Sequence, residues 1–177
     1  MALMWSSANA PTTRRQWFSN AVPGYPASMR ISDILLPRAV VVPLSADSRE
    51  EAIRQLARAL PLPSDGQQEV ELSALARERA GSTGIGEGLA LPHGSCRKLT
   101  SPMLAFGRMS APIDFCAPDG ILVDLVFLLA VPQEKFYCHL YPLSMLSQLP
   151  ACTELLDQLR SAESAAEMFQ LVAALPI

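Results

Sequence analysis

The sequence predicts an α/β domain with a central mixed β-sheet and helices on both faces. Three observations carry this reading. Apolar, β-branched runs bounded by Gly or Pro alternate with segments of helical spacing. The run from Leu122 to Val131 lacks polar/apolar alternation, which marks a central strand covered on both faces. Strands lie before and between the predicted helices, as a layered α/β arrangement requires.

The elements follow in chain order. Met29-Arg30-Ile31-Ser32-Asp33-Ile34-Leu35-Leu36 reads as the start of the domain. Ala39 to Val42 is a short β-branched strand. Ser48-x-x-Glu51 is a capping box that opens a helix with Ile53, Leu56, Ala57 and Leu60 at helical spacing. Pro61-Leu62-Pro63 closes it. Ser64-x-x-Gln67 opens a second helix, expected to place Leu72, Leu75 and Ala76 on its buried face and to end at about Ala80, before Gly81. Leu89-Ala90-Leu91, Met103 to Met109 and Leu122 to Val131 are strands. A helix follows Lys135 and stops before Pro150, and another covers Thr153 to Arg160. Ser164-x-x-Glu167 opens the last, with Met168, Leu171 and Val172 buried.

The 177 residues suit one domain with an extension: residues 29–177 form the domain, and residues 1–28 are expected to be largely disordered or loosely packed. Thr13-Arg14-Arg15-Gln16-Trp17-Phe18 has the look of a twin-arginine export signal, but Ser19, Asn20, Pro23, Gly24 and Pro26 interrupt the apolar segment such a signal needs. The formal net charge of −3 points away from nucleic acid and membrane surfaces. The longest apolar run, Ile121 to Pro132, is broken by Asp124 and is too short to cross a bilayer. Cys96, Cys116, Cys138 and Cys152 include no CxxC pair and read as reduced thiols of a cytoplasmic protein.

The chemistry lies between Arg77 and Gly94. Gly81, Gly84, Gly86 and Gly88 fall within eight residues. Glycines allow sharp turns and close approach, and successive backbone N–H groups in such a turn can cradle an anion. A Walker A loop needs a Gly-Lys-Ser/Thr ending, which is missing. A dinucleotide fingerprint lies between strand and helix, whereas this loop follows a helix and leads into a strand. His93 then stands at a strand end between Pro92 and Gly94, and a neutral imidazole there is a competent nucleophile near neutral pH. On its residues alone His93 is equally readable as a structural histidine.

Gly81-Ser82-Thr83-Gly84-Ile85-Gly86-x-Gly88-x-Ala90-x-Pro92-His93-Gly94 resembles the active-site signature of the IIA component of the bacterial phosphotransferase system. The Pro-His-Gly core is shared with the mannitol/fructose branch, and the fuller glycine form is similar to the nitrogen-regulatory member. The resemblance runs from about Ile31 to Val172 and leaves out residues 1–28.

It implies that His93 accepts a phosphoryl group from a phosphohistidine on HPr or an HPr-like carrier of the nitrogen branch. The chain would then be a phosphotransferase component that forms a phosphohistidine intermediate. His139 falls where the family has a second active-site histidine, and Arg77 where it has the arginine before the glycine loop. Ser82, Thr83, Gly84 and Gly86 would form the phosphoryl-site loop, although Ser82 and Thr83 are equally plausible turn formers. Pro142 departs from the pattern and places His139 at or near a helix N-terminus.

No cofactor is expected. A zinc site built from His93, Cys96, Cys138 and His139 is disfavoured, because successive helical residues diverge in direction. A hydrolase lacks its Gly-x-Ser-x-Gly elbow.

With no permease-like domain fused to it, the chain reads as a regulator whose phosphorylation alters its binding to proteins such as transporters or kinases. The alternatives are a fructose- or mannitol-uptake IIA that passes phosphate to a IIB partner, and a binding module that keeps the fold without phosphotransfer.

Overall fold

A computed structural model describes residues 30–134 and 140–174 of the chain. The expectation for residues 1–28 lies outside this region. Within it, a six-stranded mixed sheet is flanked by helices, as the sequence predicts.

The chain enters through a single helical turn, α1 (Ile31–Ile34), and passes directly into β1 (Leu35–Leu44). β1 is longer than the run Ala39 to Val42 indicated. Its pairing with the parallel strand β5 (Met103–Ile113) shifts register twice, once across Pro37 and once across Pro43. A proline gives no N–H to a ladder, so it is tolerated where the ladder is irregular.

Helix α2 (Arg49–Ala59) starts where the capping signal placed it: Ser48 Oγ accepts the Glu51 N–H at 3.2 Å. Helix α3 (Ser64–Ala80) begins differently. Pro63 is its N-cap and Ser64 its first helical residue, and the Gln67 amide donates to the carbonyls of Arg58 and Leu60. Its buried face also differs from expectation. Leu72 is 60% exposed and Ala76 is exposed, whereas Gly66, Val70, Ala74, Leu75 and Glu78 are buried. Small residues occupy this face because α3 lies directly against β4 (His93–Cys96). At Gly94 the helix backbone is so close that a Cβ would stand 2.6 Å from the Val70 carbonyl oxygen.

Strands β2 (Gly84–Gly86) and β3 (Leu89–Ala90) form a short hairpin. Strand β6 (Val123–Pro132) is the centre of the sheet. It pairs antiparallel with β5 on one side, and parallel with β3 and then β4, end to end, on the other. The path across the sheet is β1-β5-β6-β3-β2. Every residue of β6 is buried except Asp124, which is half-buried. Phe106 of β5 stacks on Phe127 of β6 with ring centroids 4.1 Å apart.

Alternation along β5 shows that both faces are covered. A Cβ on Gly107 would meet the Leu56 side chain of α2. The next residue, Arg108, donates through Nη1 to the carbonyls of Leu159, Arg160 and Ala162 on the opposite face. Those carbonyls end α5 (Thr153–Ser161), which follows α4 (Leu140–Leu146) and a 3-10 turn, Leu149–Ala151. Helix α6 (Ala165–Ala173) is capped by Ser164 Oγ, which accepts the Glu167 N–H at 3.1 Å, and it packs on β1. Met168 and Val172 are buried, while Leu171 is partly buried against the core.

Candidate functional site

Between β3 and β4, Leu91 and Pro92 leave the ladder, and the chain resumes pairing at His93. Pro92 still accepts the Leu129 N–H, at 3.0 Å. His93 therefore stands at the start of a strand held to the central β6. Its ring is half-buried in the wall of a cavity of about 380 Å³, together with Arg77, Ser82, Thr83, Ile85, Leu91, Leu143, Ser144 and Ser147.

The imidazole has an assigned orientation. A carbonyl oxygen can only accept, so the 3.1 Å contact between Nδ1 and the Leu91 oxygen requires Nδ1 to carry the hydrogen. In the neutral ring the lone pair then lies on Nε2. Burial pushes the His93 pKa below the ordinary histidine value, the Arg77 cation pushes the same way, and the Leu91 carbonyl opposes both. The folded chain thus binds fewer protons than the unfolded chain between the folded value and the ordinary one near 6.5. This contribution to stability is fully present above about 6.5 and declines as pH falls toward the folded value. Melting temperatures between pH 7 and pH 5 should consequently fall less in His93→Gln than in the wild type; equal slopes would contradict the shift.

The glycine loop is held by contacts on three sides. Ser82 Oγ donates to the Phe115 carbonyl and accepts the Gly84 N–H at 3.0 Å. Thr83 is buried, and both its N–H and its hydroxyl donate to the Glu78 carboxylate. Gly84 lies against Ala117, where a Cβ would stand 2.9 Å from the alanine Cβ. The Gly86-Glu87-Gly88 turn has positive φ throughout, at 96°, 53° and 76°. Its Glu87 N–H donates to Asp119 Oδ2 at 2.8 Å, and its Glu87 carbonyl accepts from Arg160, which also pairs with Asp124 at 2.7 Å. Residues 115, 117 and 119 thus form a strap along residues 82, 84 and 87.

The structure therefore brings His93, Arg77, Ser82 and Thr83 to one cavity, with Gly84 and Gly86 on either side of Ile85, which also lines it. Arg77 Nη1 donates to the Gly81 carbonyl at 2.9 Å, so the arginine is tied to the start of the loop. His139 and Cys138 lie outside the described residues, although α4, which begins one residue later, supplies Leu143 and Ser144 to the wall, and Ser147 joins them just past its end. Cys96 is buried and within 3.5 Å of Glu69, and no cluster of metal-ligating side chains occurs among the described residues. Among those residues no helix is long and apolar enough to cross a membrane.

Glu78 is not among the residues expected on the buried face of its helix, yet it is only 3% exposed. The signal was its spacing from Val70 and Ala74, which sets all three on one stripe of α3. A carboxylate on a buried stripe needs donors, and the loop supplies them.

Residues 33–174 match the family model of the phosphoenolpyruvate-dependent sugar phosphotransferase system, EIIA 2. The chain belongs to this family. The IIA domain is similar to the nitrogen regulatory protein of Bradyrhizobium diazoefficiens, with 34% identity over 84% of this chain and 97% of that protein. It is also similar to the nitrogen regulatory protein of Pseudomonas aeruginosa, with 36% identity over 81% of this chain and 95% of that one. Among solved structures, the nitrogen regulatory protein IIA-Ntr of Neisseria meningitidis superposes with a TM-score of 0.68 and 30% identity, covering 80% of this chain and 98% of that one. The IIA domain therefore shares family and fold with nitrogen-regulatory members over nearly their whole length.

Proposed function

We propose that the IIA domain is a regulatory phosphocarrier that accepts a phosphoryl group on His93 Nε2 from a phosphohistidine of an HPr-like carrier. The observation that carries this reading is the His93 ring itself, half-buried in the cavity wall with Nδ1 hydrogen-bonded to Leu91 and with Arg77 beside it. Nε2 forms the new N–P bond while the N–P bond on the donor breaks, and that electron pair stays on the donor imidazole. The Nδ1 proton remains on His93 throughout.

The depressed pKa keeps the acceptor ring neutral and its lone pair available at neutral pH. Phosphoryl transfer has a loose transition state, so the protein chiefly positions groups and stabilises charge. Arg77 supplies positive charge at the cavity wall, and Ser82, Thr83, Gly84 and Gly86 fix the shape of the loop. His139, assigned by motif position alone, supplies a further hydrogen bond or charge to the phosphoryl oxygens.

A phosphoryl group adds close to two negative charges to the cleft. That change gives partner proteins, such as transporters or kinases, a state to discriminate. The setting is the cytoplasm, where the donor carriers are phosphorylated. Incubation with phosphoenolpyruvate, enzyme I and either HPr or its nitrogen-branch relative tests the reading. The expected result is acid-labile label on His93, taken up faster from the nitrogen-branch carrier. Faster uptake from HPr followed by transfer to a IIB would favour the sugar-uptake role, and no label from either carrier would overturn phosphotransfer.

A further inference from the structure

Glu78 is a buried carboxylate to which the chemistry above gives no part. Its two oxygens accept the Thr83 N–H at 3.3 and 3.1 Å, and one also accepts the Thr83 hydroxyl. Arg49 Nη1 of α2 stands 3.8 Å away. These groups compensate a charge that would be costly to bury alone. They also begin a sequence of contacts that ends at the reactive ring. Thr83, clamped through its N–H and its hydroxyl, accepts the Leu91 N–H on its carbonyl at 2.9 Å. Leu91, held on its N–H side by Thr83, turns its own carbonyl to His93 Nδ1 at 3.1 Å.

Little slack separates these links. Leu91 precedes a proline, which holds it in an extended conformation, and the Pro92 ring fixes the next φ. The Leu91 carbonyl can therefore leave the imidazole only if the Thr83 contact moves with it. The tautomer of a histidine is set by the hydrogen bond that one of its nitrogens makes. A carboxylate on α3 thus bears on which nitrogen of His93 carries the lone pair.

We infer that Glu78 is a positioning residue, which through Thr83 and Leu91 holds His93 in the ring orientation and tautomer that present Nε2 to the phosphoryl donor. The inference rests on the phosphocarrier reading for its rate effect, but not for its tautomer effect.

Two measurements on the intact chain test it. The first is nitrogen NMR of histidine-labelled, unphosphorylated protein, which distinguishes the two neutral tautomers directly. Wild type and Thr83→Ser should show the Nδ1–H form at His93, and Thr83→Val and Glu78→Gln should populate the Nε2–H form. The second is the rate of phosphoryl uptake against carrier concentration. Misplacement of a reacting group lowers the chemical step, so Thr83→Val and Glu78→Gln should lose about tenfold in maximal rate at unchanged half-saturation. Thr83→Ser, which keeps the hydroxyl, should restore both readouts.

A wild-type tautomer in Thr83→Val overturns the inference, as does a changed tautomer with an unchanged maximal rate. Should Glu78→Gln fail to fold, the Thr83 pair decides alone. If no carrier labels the wild type, the functional proposal fails, and the NMR comparison still decides whether Glu78 sets the ring.

Discussion

The His93→Ala variant should take up no acid-labile phosphate while retaining the wild-type fold. The loss is expected to be complete because the substitution removes the only nitrogen the reading offers as acceptor. Of the hydroxyls in the same cavity, Ser82 donates to Phe115, Thr83 to Glu78 and Ser147 to the Ser144 carbonyl, so none of these three is placed as a substitute nucleophile. The fold should survive because His93 pairs with β6 through its backbone, and alanine keeps that pairing. The side chain itself contributes the bond to Leu91, worth about 1 kcal/mol net. Labelled-phosphate uptake and a thermal melt, made on the same preparation, check both halves. Undiminished labelling would remove His93 from the mechanism.

Gly94→Ala, one residue on, should have the largest effect on stability. The added methyl would stand 2.6 Å from the Val70 carbonyl oxygen and 2.8 Å from the Ala74 nitrogen. Both are helix backbone atoms, so no rotamer change relieves the contact, and α3 must move off β4. Overpacking of this kind costs about 3 kcal/mol. For a domain of this size that corresponds to a fall in melting temperature of roughly 6–12 °C. At Gly107 the nearest atom, also at 2.6 Å, is the end of the Leu44 side chain, which can turn away. Gly107→Ala should therefore be milder, and a denaturant titration of the two variants measures the difference. Activity should suffer at Gly94 as well, because the displaced helix carries Arg77 and Glu78.

The contrast between Leu72 and Glu78 shows where the sequence can be read and where it cannot. Ser48 and Ser164 cap their helices through contacts three residues away, and such local geometry is written in the residue order. Ser64 has the same spacing, but Pro63 takes the cap position and Gln67 turns to the preceding helix end. Helix α3 reads poorly for a tertiary reason. It packs against a glycine of β4, so its buried stripe demands small residues and leaves Leu72 in solvent. Glu78 is buried on that stripe because loop N–H and hydroxyl groups meet it, and backbone donors have no signature in a sequence. The place of His93 at a strand end behind a glycine-rich loop was legible from the glycine spacing and the Pro-His-Gly setting, while its residues left a structural role equally open. The strap residues Phe115, Ala117 and Asp119 were not, since they follow no hydrophobic period and meet their partners about thirty residues away in the chain.

That strap constrains how the domain can diverge. Surface loops ordinarily accept insertions and deletions with little penalty, because few of their residues are matched one to one with another segment. Here Phe115, Ala117 and Asp119 each meet a different residue of the glycine loop. One residue gained or lost between them would put every later contact out of step and shift the loop beside His93. Substitutions along the strap can be absorbed one at a time, but its length is as fixed as that of a strand in the sheet.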